Sequence, residues 1–290
     1  MNKQVLLAIF AHPDDESFGP GGTLAKHADQ GYEVHICTLT DGAAGTADPD
    51  CWDCLNGYET LAERRIEELE CAVRTLGARL HFLGYRDSGM KGDEANGHPD
   101  AFINQPEEQV TEQLTRLIRL LRPSIIITHD DTGGYFHPDH IAVHHAAMRA
   151  IKASADQSRF TTQLDQGLDT YDPPLVYGTV IPRRHIRTVV WMTKLTGQDP
   201  TRFGRNQDID LTKIGKPDKL IHARIHVRDY LGTKYQASRC HGSQGGGIGS
   251  TNNKMSLTER FMFFLRKRSA NWESFQQLRP TPKAGIKSNL

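Results

Sequence analysis

No stretch of the 290 residues approaches the ~20 consecutive apolar positions that a helical membrane span needs. At the amino terminus Lys3 precedes only a short apolar run, too short for the apolar region and cleavage site of a secretory signal. A soluble, cytoplasmic protein is the expectation. Net charge is lacking too. Lys+Arg and Asp+Glu stand at 35 each, which removes any general electrostatic reason to bind nucleic acid or an anionic membrane. The short basic runs Arg183-Arg184 and Arg266-Lys267-Arg268 read as solvated faces. Cysteine is scarce, and five is an odd number, so no disulfide framework is expected. Cys51-Trp52-Asp53-Cys54 is a lone CxxC with no second pair to complete a zinc knuckle, and a mobile loop is the simpler reading. A dinucleotide fingerprint is missing as well: after Gly19-Pro20-Gly21-Gly22, the third glycine of GxGxxG would fall at Leu24. There is no internal repeat.

What is present begins with Val5-Leu6-Leu7-Ala8-Ile9-Phe10, a branched apolar run that reads as a buried parallel strand. Ala11-His12-Pro13-Asp14-Asp15-Glu16 follows directly. Carboxylates crowded at the end of a buried strand repel one another unless something positive sits among them, and a divalent cation is the simplest remedy. The competing reading is an acidic turn that caps the next helix. A second stretch repeats the pattern. Residues 124–130 form another apolar strand, and Tyr135-Phe136-His137-Pro138-Asp139-His140 comes after it. Pro138 suits a first helical turn, and His137 and His140, three apart, share a helix face. In an open α/β sheet, ligands gather outside the carboxyl ends of the strands, so both clusters point to one edge.

The spacing predicts helices over 23–30, 61–76, 107–121, 138–154, 184–195, 229–241 and 257–268. Strands are predicted over 5–10, 33–40, 81–85, 124–129, 175–181 and 223–227. Residues 41–58 and 86–106 read as long loops, and the Gly/Ser/Asn-rich 242–256 as flexible. Such alternation implies an α/β fold: a Rossmann-like, mostly parallel sheet flanked by helices, with right-handed crossovers. The length suits one domain over 1–290, with a motif-bearing core at about 4–154 and a smaller α+β extension at about 175–270.

His12-Pro13-Asp14-Asp15 together with His137-Pro138-Asp139-His140 resembles the zinc-dependent N-deacetylases of the PIG-L/LmbE-like family. Gly21-Gly22-Thr23-Leu24-Ala25, the Arg65…Glu68…Ala72…Leu76-Gly77 helix, Tyr85-Arg86-Asp87-Ser88-Gly89-Met90 and Gly133-Gly134-Tyr135 match as well. The likeness is close from residue 4 to about 150 and weaker on to Cys240-His241-Gly242-Ser243-Gln244. Within the family the chain looks most like bacterial deacetylases of low-molecular-weight thiol biosynthesis, which act on N-acetylglucosaminyl conjugates. The resemblance implies His12, Asp15 and His140 as metal ligands, preferring His140 to its neighbour His144. Two imidazoles and a carboxylate suit zinc with one position left for water, and they suit Fe(II) too. The resemblance further implies Asp14 as the base, His137 as the group serving the leaving nitrogen or the oxyanion, and Tyr135 as an oxyanion donor. It places Arg65 and Asp87 at the sugar. The implied partner is a small acetamido-sugar substrate, and self-association into a homo-oligomer stays open.

Four competitors remain at this stage. A related amidase cleaving a larger thiol-conjugate amide would use the same metal set. An iron oxygenase would consume oxygen and release no acetate. A nucleotide-binding module would have to seat a pyrophosphate against three carboxylates, and a catalytically silent metal protein would tolerate loss of Asp14.

Overall fold

A computed structural model describes residues 3–48, 51, 55–203, 207–246 and 270–281. Strands β1 (Val5–Phe10), β2 (Glu33–Thr40), β3 (Arg79–Tyr85), β4 (Ile125–His129), β5 (Leu175–Thr179), β6 (Ala223–His226) and β7 (Trp272–Arg279) make one seven-stranded sheet in the order β3-β2-β1-β4-β5-β7-β6. β1 pairs in parallel with β2 on one side and β4 on the other, Ala8 facing Ile36 and Ile127. The chain winds from β1 out to β3, then returns to place β4 and β5 beyond the other side of β1. The boundary between β1 and β4 is therefore the topological switch point, where the crossovers part and a crevice opens.

Alternation along β1 divides the core. Leu6, Ala8 and Phe10 pack with α2 (Gly21–Asp29), α3 (Leu61–Thr75) and α9 (Leu231–Cys240) through Leu24, Leu69, Val73 and Ala237. Leu7, Ile9 and Ala11 pack with α4 (Glu107–Leu121) and α6 (Pro138–Ser154) through Leu114, Ile118, Val143 and Ala147. A strand buried on both faces needs an unbroken apolar run, which is what residues 5–11 supply; each large side chain so buried contributes about 1.5–3 kcal/mol. The shorter helices are α1 (Asp15–Phe18), a kinked turn α5 (Gly133–Phe136) and α7 (Thr161–Asp165), while α8 (Arg183–Leu195) follows β5.

Helix ends follow local chemistry. Thr60 caps α3 by accepting the Glu63 N–H at 3.2 Å, and Gly77 at φ 71° closes it. α4 stops at Arg122, left-handed at φ 50°, just before Pro123. α6 starts with Pro138 in its first turn and His137 as its cap.

Three findings depart from the sequence reading. β7 was not expected; it runs antiparallel between β5 and β6, so the carboxyl-terminal part of the chain completes the main sheet. Cys71 on α3 and Cys240 at the end of α9 form a disulfide across 169 residues, which corrects the expectation drawn from the odd cysteine count. Residues 86–106 carry two short 3-10 turns, Glu94–Gly97 and Phe102–Asn104. The expected 257–268 helix and Cys54 lie outside the described residues, as does most of the 242–256 segment. Among the described residues, no helix is long and apolar enough to cross a membrane.

Candidate metal and catalytic centre

The carboxyl ends of β1 and β4 bring His12, Asp14, Asp15, His129, Tyr135, His137, Asp139 and His140 to the crevice at the switch point, and Asp87 reaches it from the loop after β3. His12 Nε2 lies 3.1 Å from Asp139 Oδ2 and 3.3 Å from Asp87 Oδ1, so that nitrogen carries a proton toward two carboxylates. Asp139 is itself held by the Ser88 N–H at 3.0 Å. The other nitrogen of His12, Nδ1, points at His140 Nε2 at 3.1 Å and lies 3.6 Å from Asp15 Oδ2. His140 gives its Nδ1 proton to the Gly133 carbonyl at 3.2 Å, leaving the Nε2 lone pair facing the crevice, 3.3 Å from Asp15 Oδ1. Two imidazole nitrogens and a carboxylate thus converge on one point. Burial would lower the pKa of His12, but Asp87, Asp139 and Asp15 raise it well above the ordinary value, so without a metal a proton on Nδ1 bridges to His140 Nε2. A cation can take that proton's place, and the outer bonds from each histidine to a carboxylate or carbonyl are those that orient metal ligands. The donor set therefore fits a divalent transition metal; Asp139 Oδ1, buried and without a hydrogen-bond partner, adds to the negative field.

The competing third ligand is turned away. His144 bonds the His129 carbonyl through Nδ1 at 2.9 Å. Among the described residues three groups of potential ligands overlap this set: His12 with His137 and His140, Asp15 with His129 and His140, and His12 with Asp87 and Asp139. His129 is a residue the sequence reading did not single out. Its ring stacks on His140 with centroids 3.9 Å apart, and its Nε2 accepts the Ala11 N–H at 3.1 Å. Burial holds its pKa down to about 4, with His140 beside it acting the same way. It reads as strand filling in sequence, because it ends an apolar run.

Asp14 sits at φ 130°, ψ −27°, a conformation that side-chain-bearing residues avoid at a cost of order 1–3 kcal/mol. Contacts from all sides hold it. Its N–H bonds Glu16 Oε2 at 3.0 Å, its carbonyl accepts from Ser17 and Phe18, and its Oδ2 takes Arg65 Nη2 at 3.1 Å. Burial raises its pKa to about 6, with Arg65 pulling down and Asp15 pushing up. Asp15 goes the other way: burial would raise it, but His140 and His129 hold it well below the usual carboxylate range. Adjacent carboxylates with pKa values pushed apart are suited to different tasks, one to hold a cation and one to exchange a proton.

His137 accepts the Asp139 N–H at Nδ1, 3.2 Å away, so its remaining proton sits on Nε2. Burial, followed by His12 and His140, holds it far below its ordinary pKa, and it rests neutral. Tyr135, half-buried, has its ring centroid 5.1 Å from that of His140; burial and Asp15 raise its pKa, so the hydroxyl stays protonated.

Arg65 and Asp87 lie deeper than a sugar site on the surface would place them. Arg65 is 3% exposed and spends Nη1 on the Gly42 carbonyl at 2.8 Å and Nη2 on the Pro13 carbonyl at 2.6 Å and on Asp14; Nε has no partner. Gly42 is required here, since a Cβ would meet the guanidinium carbon at 2.5 Å. Asp87 accepts N–H bonds from Gly89 at 2.9 Å and Ala44 at 3.2 Å, besides facing His12. His12 and these bonds hold its carboxyl well below the usual range against its burial.

Residues 7–151, spanning both clusters, match the PIG-L family, described as GlcNAc-PI de-N-acetylase. The chain belongs to the PIG-L family. A 1D-myo-inositol 2-acetamido-2-deoxy-alpha-D-glucopyranoside deacetylase of Acidothermus cellulolyticus is 36% identical over 252 residues, covering 82% of this chain and 79% of that protein. The Thermobifida fusca protein of the same name is 35% identical over 84% of each chain. Among solved structures of the family's fold, the N,N'-diacetylchitobiose deacetylase of Pyrococcus horikoshii aligns over 96% of this chain and 84% of its own, with TM-score 0.62 and 24% identity. The 4-carboxy-2-hydroxymuconate hydratase GalB of Pseudomonas putida aligns over 99% of each chain at TM-score 0.60 and 18% identity. The fold thus accommodates a hydratase too, and the reaction must be argued from the site.

Proposed function

We infer that the protein is a metal-dependent N-deacetylase. It hydrolyses the N-acetyl group of a small-molecule conjugate containing N-acetylglucosamine, releasing acetate and a free amino sugar, with the cytoplasm as its compartment. The observation that carries the reading is the convergence of His12 Nδ1 and His140 Nε2, 3.1 Å apart, on Asp15, with Asp14 adjacent in the chain. The substrate in the relatives' names, an inositol N-acetylglucosaminide, is the first candidate conjugate.

His12, Asp15 and His140 would hold the ion, zinc or Fe(II). When bound, it would supply Lewis acidity that polarises an amide carbonyl and makes water a better proton donor. Asp14 takes a proton from the attacking water; with a pKa of about 6 it is ionised at neutral pH yet more basic than an ordinary carboxylate. The hydroxyl oxygen bonds to the acetyl carbon. Tyr135 O–H and the Nε2–H of His137 donate to the oxygen on which negative charge gathers. As the C–N bond breaks, protonated Asp14 gives up the proton it took from water to the leaving nitrogen, directly or by relay through His137. In the relay His137 gives its Nε2 proton to the amine and is reprotonated by Asp14; either way both residues return to their starting states. Asp87 and Arg65 hold the sugar. Asp87 accepts from ring hydroxyls, while Arg65, buried with its fork on the Gly42 and Pro13 carbonyls and Asp14, serves the sugar by holding the wall of the site.

The test is to offer metal-loaded protein a panel of acetamido sugars and conjugates and to measure free amine and acetate. Asp14→Asn should keep its metal while turnover falls about 10²–10⁴-fold. Near-normal turnover in metal-replete Asp14→Asn would remove Asp14 from the chemistry, and amine without acetate would mean a different acyl group.

A further inference from the structure

Glu16 and His241 come from opposite ends of the chain, 225 residues apart, and both are fully buried. His241 Nε2 lies 2.7 Å from Glu16 Oε1, which Ser17 Oγ also bonds. The other carboxylate oxygen, Oε2, accepts the Asp14 N–H at 3.0 Å. Two residues on, Ser243 gives its N–H and its hydroxyl to Glu68 at 2.9 and 2.6 Å. Glu68 lies on α3 one turn beyond Arg65, whose guanidinium grips the Pro13 carbonyl and the Asp14 carboxylate. Residues 241–243 are thereby fastened to the two elements that hold Asp14. Glu16 and His241 touch the crevice only through the Asp14 backbone N–H, so the proposed reaction leaves them without a task of their own.

Burying a carboxylate and an imidazole is costly unless they are paired, and an apolar pair of similar volume would fill the space more cheaply. What an apolar pair could not do is accept the N–H of Asp14. That N–H belongs to the one residue in the loop with left-handed backbone, a geometry that persists only where surrounding contacts over-determine it. The direction of the Asp14 carboxylate follows from that backbone.

We propose that Glu16 and His241 are positioning residues that hold the strained backbone of Asp14, and so aim its carboxylate at the water it deprotonates. His241 anchors Glu16; Glu16 fixes Asp14. The inference rests on Asp14 being the base.

The experiment uses the full-length, metal-loaded protein with N-acetylglucosamine and an inositol-linked N-acetylglucosaminide as substrates. Glu16→Ala and His241→Ala should each lower kcat about 10²-fold, the scale of a 1 Å misplacement, with KM and metal content unchanged. His241→Gln, whose amide N–H can still reach Glu16, should recover much of the loss. In an Asp14→Asn background, neither alanine substitution should lower kcat further, because groups acting through one residue are not additive. A contact that merely supported the fold would instead add its full effect there. Unchanged kcat, additive losses, or activity that falls in step with metal content would each overturn the proposal. Should an alanine variant fail to fold, Glu16→Asp replaces it: the shorter carboxylate keeps the charge but cannot span both partners. A lower kcat at constant KM is then expected, and wild-type kcat overturns the idea. Asp14→Asn alone separates the two levels. If it retains kcat, the base assignment fails and takes this inference with it. If it loses kcat while the Glu16 and His241 variants do not, only the positioning role fails.

Discussion

The loop after β1 and the loop after β4 each deliver a histidine to the same point, but they are held in shape by different parts of the chain. After β4 the restraints on the turn are mostly local, with Lys216 as the distant one, 3.5 Å from Asp130 and bonded to Asp131. The Asp130 carboxylate accepts the N–H of Thr132 at 3.1 Å and of Gly134 at 2.9 Å, and Gly133 and Gly134 take the left-handed backbone the turn requires. Pro138 then starts α6 with His137 as its cap. After β1 local bonds, such as the His12 N–H to Asp15 Oδ2 at 2.8 Å, are backed by side chains from far along the chain. Arg65, 51 residues on, holds Asp14, and Glu16 bonds His241, 225 residues on. A loop that encodes its own turn can be read from a dozen residues and fails when one of them changes. A loop held from a distance has no such local signature, and it can be loosened without touching its own sequence.

The largest expected effect is common to both loops, because the ion needs a ligand from each. His12→Ala and His140→Ala should each drop bound metal well below one per chain and abolish amine release, whereas His144→Ala should retain both. Metal analysis after dialysis decides this; full content in the His140 variant with loss in the His144 variant would reverse the ligand assignment.

The next pair separates the loops. In Gly133→Ala the new Cβ would lie 2.7 Å from the Cβ of His140 at a backbone φ of 60°. It should cost about 1–3 kcal/mol of stability and weaken metal retention, because the strain falls on a ligand. Arg65→Lys puts one compact ammonium where a fork reaches two carbonyls and a carboxylate. Metal should stay, while kcat falls about 10²-fold as Asp14 loses its aim. If Arg65→Lys lost metal as readily as Gly133→Ala, the contrast between local and distant restraint would be gone.

The same contrast explains what could be read from the sequence. α4 and α6 were legible end to end, since their apolar spacing is bounded by Pro123 and Pro138, and both strand-end clusters were visible as sequence. His129 was hidden because it continues an apolar strand, and only the sheet brings its ring against His140. The Cys71–Cys240 disulfide joins residues with no common local pattern. β7 was missed for a physical reason: Glu273 and Phe275 face inward while Trp272 is exposed, so the hydrophobic alternation that marks a strand is broken by a buried acid. Arg65 and Asp87 were found by resemblance, but their depth, and their grip on Asp14 and His12, belong to the fold.

That buried acid gives the smallest effect and the most direct probe of how the chain's last described strand supports its beginning. Glu273 accepts the N–H groups of Gly22 at 3.0 Å and Thr23 at 2.7 Å, in the first turn of α2, and pairs with Lys234 at 2.6 Å. A carboxylate there satisfies orphan donors and meets the positive end of the helix. Glu273→Ala should lower unfolding free energy by about 1.5–3 kcal/mol, the usual worth of hydrogen bonds to a charged group, and Glu273→Gln, with a single acceptor oxygen, by less. Arg279, on the same strand, pairs with Asp172 in an exposed position, so Arg279→Ala should change stability by no more than about 1 kcal/mol. Urea melts of the three variants measure this, with kcat and metal content expected at wild-type levels throughout, because α2 lies behind the crevice. A loss of kcat in Glu273→Ala at full metal content would show that the reach of the chain's end into the β1 loop is wider than the Glu16–His241 contact, and equal destabilisation by Glu273→Ala and Arg279→Ala would mean that β7 acts through sheet pairing alone.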